Sequence, residues 1–113
     1  MSQITTHVLD TSLGKPAAGL SLQLAVVEAD GNYREIATGT TNAEGRVLDL
    51  LRDTPLTRGT YRLTFDTGAY FAATQRMSFY PRVVVLFEVR VEGEHHHVPL
   101  LLNPYGYSTY RGS

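Results

Sequence analysis

Period-two alternation is the feature that most constrains this chain. Thr60 to Asp66 puts Tyr61, Leu63 and Phe65 on one side and Thr60, Arg62, Thr64 and Asp66 on the other. Leu20 to Val27 sets Leu22, Leu24 and Val26 against Ser21, Gln23 and Ala25. Val83 to Val91 holds Val83, Val85, Phe87, Val89 and Val91 in one register, and its opposite face turns polar at Glu88 and Arg90. Successive side chains of a strand point to opposite faces, so these runs are half-buried strands.

Turn chemistry punctuates them. Ala29-Asp30-Gly31-Asn32 has hairpin character, and Asn42-Ala43-Glu44-Gly45 is a second turn. Gly14, Pro16 and Gly19 make Asp10 to Gly19 a loop, and Pro55 marks another between Arg52 and Gly59. Shorter β-type runs lie at Ile4 to Leu9, Tyr33 to Thr41 and Arg46 to Leu51. Thr67 to Gln75 loses the alternation, and Thr67 can cap a helix of about two turns there, which would need to pack against a sheet to persist. The expectation is an all-β sandwich of roughly seven or eight short strands with one helix. One domain over residues 1–113 fits the length.

A formal charge of −1 gives no electrostatic case for nucleic acid or an anionic membrane. No apolar run reaches the roughly 20 residues of a spanning helix. The start, MSQITTHVLD, lacks the basic and apolar regions of a signal peptide, so a cytoplasmic protein is expected. The absence of cysteine removes disulfides and thiol nucleophiles.

The chemistry concentrates at the C-terminal end, EHHHVPLLLNPYGYSTYRGS. Its apolar run and tyrosines suit two adjoining strands tied into a sheet rather than a solvated tail. On a strand, His95 and His97 share a face and His96 points away. Such a pair can be a solvated strand end, an acid–base pair, or two ligands of a metal site that would need more. His7 alone reads as a structural histidine, and Arg46, after Gly45, as a strand end whose planar fork could hold an anionic or imide-like ring. Tyr105, Tyr107 and Tyr110 are amphipathic packing residues, and Ser113 adds a hydroxyl and a carboxylate. No nucleophile elbow, phosphate loop, dinucleotide fingerprint or HExxH motif occurs, so an enzyme built this way would use water and general acid–base groups.

The ordered set of short motifs is specific. It runs His7-Val8-Leu9-Asp10, Gly14-Lys15-Pro16-Ala17, Thr41-Asn42-Ala43-Glu44-Gly45-Arg46, Tyr70-Phe71-Ala72 and Phe79-Tyr80-Pro81. It continues with His95-His96-His97-Val98-Pro99-Leu100-Leu101-Leu102, Pro104-Tyr105-Gly106-Tyr107-Ser108-Thr109-Tyr110 and the closing Tyr110-Arg111-Gly112-Ser113. Over nearly its whole length the chain resembles the transthyretin-like family, in its 5-hydroxyisourate hydrolase branch. The closing tetrapeptide separates that branch from the hormone carriers of the same fold. Two positions depart from the family pattern: His96 stands where tyrosine is common, and Arg82 follows Pro81 where an acidic residue is frequent.

The resemblance implies a sandwich of two four-stranded sheets with one short helix. It also implies a homotetramer, a dimer of dimers with active sites at the dimer–dimer face. The implied reaction is the hydrolysis of 5-hydroxyisourate to 2-oxo-4-hydroxy-4-carboxy-5-ureidoimidazoline, without cofactor or metal. The catalytic residues would be His7, Arg46, His97 and Ser113, with His7, Arg46 and Tyr110 binding substrate. His95 and Tyr107 would support them from behind. The rival expectations are a transthyretin-type carrier of a small aromatic ligand, which needs no matched acid–base pair, and a metal-binding protein using His7, His95 and His97.

Overall fold

The computed structural model describes residues 3–52 and 54–113. Two sheets face each other. One runs in the order β2 (Lys15–Pro16), β1 (Ile4–Asp10), β8 (His96–Asn103), β9 (Gly106–Thr109), with β5 (Arg46–Val47) also paired to β1. The other runs β4 (Tyr33–Thr40), β3 (Ser21–Val27), β6 (Gly59–Phe65), β7 (Val83–Val89). The helix α1 (Thr67–Ala73) joins β6 to the segment before β7.

The three strongest alternations all form strands of the second sheet. Tyr61, Leu63 and Phe65 are buried, as are Val83, Val85 and Val89. Leu22 and Leu24 point into the core, but a register shift between Leu24 and Ala25 interrupts the pattern and buries Ala25 as well. From the first sheet Ile4, Val8, Val98, Leu100 and Leu102 complete the core. Burial of each such side chain stabilises the fold by about 1.5–3 kcal/mol.

Three expectations need correction. The strand proposed for Arg46 to Leu51 is only two residues long. Leu50 and Leu51 are buried through a turn instead of a ladder. The loop before Leu20 contains a second two-residue strand, so the first sheet has five segments where four were expected. The helix ends at Ala73, and Thr67 does not cap it: Asp66 occupies the N-cap and no side chain bonds there. The helix is held by packing. Tyr70 and Phe71 are buried, the Tyr70 hydroxyl donates to Asp10 Oδ2 at 2.7 Å, and the Gly68 amide donates to Pro81 O at 2.9 Å.

Asp10 anchors that end of the sandwich. Its fully buried carboxylate also accepts from Ser12 Oγ at 2.6 Å and Arg76 Nη2 at 2.6 Å. Burial opposes ionisation, but the bonds from Arg76, Ser12 and Tyr70 outweigh it and hold the carboxyl at about 2, below its ordinary 3.8.

Candidate active site

Strand β1 lies between the two segments that carry the chemistry. It pairs antiparallel with β5, placing His7 opposite Arg46. It pairs parallel with β8, placing Thr5 opposite His97 and His7 opposite Pro99. Residues opposite one another share a face. Thr5, His7, Arg46, His97 and Pro99 therefore lie on the outward face of the first sheet, while Ile4, Thr6 and Val8 face the core.

The turn before β5 fixes Arg46. Asn42 Oδ1 accepts from the amides of Glu44 at 2.9 Å and Arg46 at 3.0 Å, and the Val8 amide donates to Gly45 O at 2.8 Å. Gly45 has φ +76°, and a Cβ there would stand 2.4 Å from Val8 O. Only glycine lets this turn dock on β1. A hydrogen bond to the Glu44 main chain also reaches the His7 ring.

The histidine run divides as alternation requires. His96 is buried on the core side, where its Nδ1–H donates to Glu94 O at 2.8 Å and its ring sits 6.5 Å from Phe87. His95 and His97 are on the other face, with rings 6.5 Å apart and 12° from parallel. Thr5 Oγ1 sits between them, 3.0 Å from His95 Nε2 and 2.8 Å from His97 Nδ1.

The tail closes over this group. Strand β9 pairs Leu100 with Thr109, and after a gap at Pro99 the same register returns in a bridge between His97 and Gly112. Pro99 has no amide hydrogen, and its carbonyl accepts from Thr109 Oγ1 at 2.7 Å. The proline thus opens the ladder where Tyr110 passes. The Gly112 amide then donates to His97 O at 2.8 Å, and Arg111 bonds Glu94 and the His95 carbonyl. A Cβ on Gly112 would lie 2.5 Å from Cδ2 of His97, so the backbone lies directly against the imidazole.

The electrostatics favour neutral rings. His97 is held below its usual value of 6.5 first by burial, then by the charges of Arg46, His95 and His7, while a hydrogen bond to the Thr5 main chain works the other way. His7 is lowered by burial and by Arg46. Both imidazoles are therefore free bases at neutral pH beside a permanent guanidinium. Such a group can take a proton from water and return it, and can hold negative charge that develops nearby.

His7, Arg46 and the His95–His97 pair come together, then, from three distant places in the sequence. Tyr110 and His97 both line a cavity of about 220 Å³ that also touches Phe87 and Val98. Ser113 follows the Gly112 bridge directly. Tyr107 stands elsewhere: it pairs with Leu102 and packs edge-on against Tyr80 at 5.4 Å. Thr5 and Gly112 are the site residues that reading the sequence missed. Neither type signals chemistry, and only the β1–β8 pairing reveals them. Among the described residues no three His, Cys, Asp or Glu side chains are grouped to hold a metal.

Comparison with known proteins fits this geometry. Residues 4–112 match the model of the HIUase/Transthyretin family. This chain belongs to the HIUase/Transthyretin family. It is 48% identical to the 5-hydroxyisourate hydrolase of Mus musculus, over 99% of this chain and 96% of the mouse protein. Among solved structures, the 5-hydroxyisourate hydrolase of Klebsiella pneumoniae superimposes with a TM-score of 0.85 at 41% identity, covering 97% of this chain and 98% of that one. Sea bream transthyretin, solved with thyroxine, gives a TM-score of 0.93 at 33% identity, covering 98% and 95%. The hydrolase and the transthyretin thus share the sandwich, and side chains must separate them.

Proposed function

We propose that this chain is a 5-hydroxyisourate hydrolase. The carrying observation is the convergence of two neutral imidazoles, His7 and His97, with Arg46 on one sheet face. A carrier of apolar ligands has no use for a matched acid–base pair beside a fixed cation. The sequence identity to named hydrolases, 48% for the mouse protein, supports the same choice over the carrier at 33%.

Water attacks the activated acyl carbon of the six-membered ring. A C–O bond forms, the C–N bond of the ring breaks, and the product is 2-oxo-4-hydroxy-4-carboxy-5-ureidoimidazoline. His7 and His97 orient the water, remove its proton as the C–O bond forms, and deliver a proton to the departing nitrogen. Transfer of this kind contributes about 10²–10⁴-fold. Arg46 binds a substrate oxygen or nitrogen and holds the oxyanion of the tetrahedral intermediate, an effect of about 3 kcal/mol where water is excluded. Tyr110 fixes the ring, and Ser113 orients a catalytic group. His95 supports His97 through Thr5. Tyr107, packed on Tyr80, acts only through the placing of β9.

The site lies on an outward face that the tail covers only beside His97, so the rest of its cover would come from outside this chain. A homotetramer arranged as a dimer of dimers, with this face turned inward, would exclude water from the sites at the dimer–dimer face. A cytoplasmic setting in urate breakdown accords with that reading. Among the described residues no helix is long and apolar enough to cross a membrane. The test is to add the protein to freshly generated 5-hydroxyisourate and follow its ultraviolet decay. Acceleration well above the spontaneous rate is expected. A ligand-binding signal with no acceleration would favour the carrier.

A further inference from the structure

Thr5 is 4% exposed although it sits on the outward face, because the two imidazoles cover it. Its Oγ1 has a single hydrogen. It can donate to at most one of the two ring nitrogens, and its two lone pairs can accept from either or both. At least one of His97 Nδ1 and His95 Nε2 therefore carries a hydrogen. Nδ1 of His97 is the nitrogen held 2.8 Å from this hydroxyl, so the nitrogen left free to take a proton from water is Nε2, and a neutral ring then keeps its hydrogen on Nδ1.

We propose that Thr5 is a positioning residue that sets the tautomer of His97. It accepts the Nδ1–H of His97 and donates its own hydrogen to Nε2 of His95, which leaves Nε2 of His97 as the basic nitrogen. Donation to His95 polarises the hydroxyl and strengthens its acceptance from His97. His95 thereby gains a definite part as the end of the chain, with its hydrogen on Nδ1.

The proposal rests on the hydrolase reading for its kinetic part, but its structural part needs no substrate. Nitrogen-15 NMR of the wild-type imidazoles is expected to show His97 with hydrogen on Nδ1 and His95 with a bare Nε2. Thr5→Ser should keep this pattern and the wild-type kcat within about threefold. Thr5→Val should lower kcat about tenfold, the equivalent of one hydrogen bond, with little change in KM and mixed His97 tautomers. A wild-type His97 with hydrogen on Nε2 overturns the proposal whether or not the variants fold. So does Thr5→Val with wild-type kcat. A wild-type protein that fails to open 5-hydroxyisourate would sink the hydrolase assignment while leaving the tautomer result standing.

Discussion

Gly112→Ala should cut turnover about a hundredfold. The added Cβ would stand 2.5 Å from Cδ2 of His97, 3.1 Å from Cγ and 3.3 Å from its Cβ. Ordinary contact begins near 3.4 Å, so the nearest pair must separate by 3.4 − 2.5, about 0.9 Å. The imidazole can tilt off Thr5, or the tail can lift off β8 and carry Tyr110 with it. Either response misplaces a site group by about 1 Å, and an error of that size costs on the order of 10²-fold. The assay is kcat for ring opening, run beside Gly106→Ala. There the new Cβ meets only the Asn103 side chain, at 3.7 and 3.8 Å, so kcat should stay within about threefold. A Gly112→Ala protein with more than about a third of wild-type kcat would refute the reasoning. Equal losses at both glycines would also refute it.

Other outcomes follow from the same geometry. Asp10→Ala, which strips acceptors from Tyr70 and Arg76, should lower unfolding free energy by about 3 kcal/mol in a denaturant titration while leaving the imidazole pKa values unchanged. Because the folded carboxyl of Asp10 titrates at about 2 against 3.8 unfolded, its contribution is present above 3.8 and is lost as pH falls through about 2. The shift corresponds to at most about 2.5 kcal/mol, and to about 1–2 kcal/mol once solvent screening at Arg76 is allowed for. His7 and His97 are also lowered, so the unfolded chain binds protons first; their contribution is full above 6.5 and lost as pH falls through their lower folded values. The acid limb of kcat/KM should accordingly lie below 6.5, and a limb above it would contradict neutral rings at the site. Arg46→Gln removes one cause of the depression, so NMR titration should show both imidazoles shifted upward. His96→Tyr should leave kcat within about threefold, since that side chain faces the core.

The sequence made some of this legible and hid the rest for physical reasons. Alternation in Thr60–Asp66 and Val83–Val91 announced strands because one face of each packs on a core and the other does not. The opposed directions of His96 and its neighbours followed from the same period. Arg46–Leu51 misled because Leu50 and Leu51 are buried by a turn, and apolar residues alone do not distinguish the two. Thr67 looked like a cap but lies inside the first turn. Thr5 and Gly112 could not be found by reading, since what matters is their contact with His97. Thr5 reaches it across 92 residues of sequence, and Gly112 through a bridge that resumes beyond Pro99. Family motifs selected His7 and Arg46, while the pairing of β1 with β5 supplies the reason they stand side by side.

The most direct measurement compares ring-opening rates of His7→Ala, Arg46→Ala and His97→Ala with wild type, at neutral pH and with oligomeric state checked. Each should lose about 10²-fold or more while the oligomeric state stays that of wild type. Full activity in all three would show that the face shared by β1, β5 and β8 is not where the ring is opened.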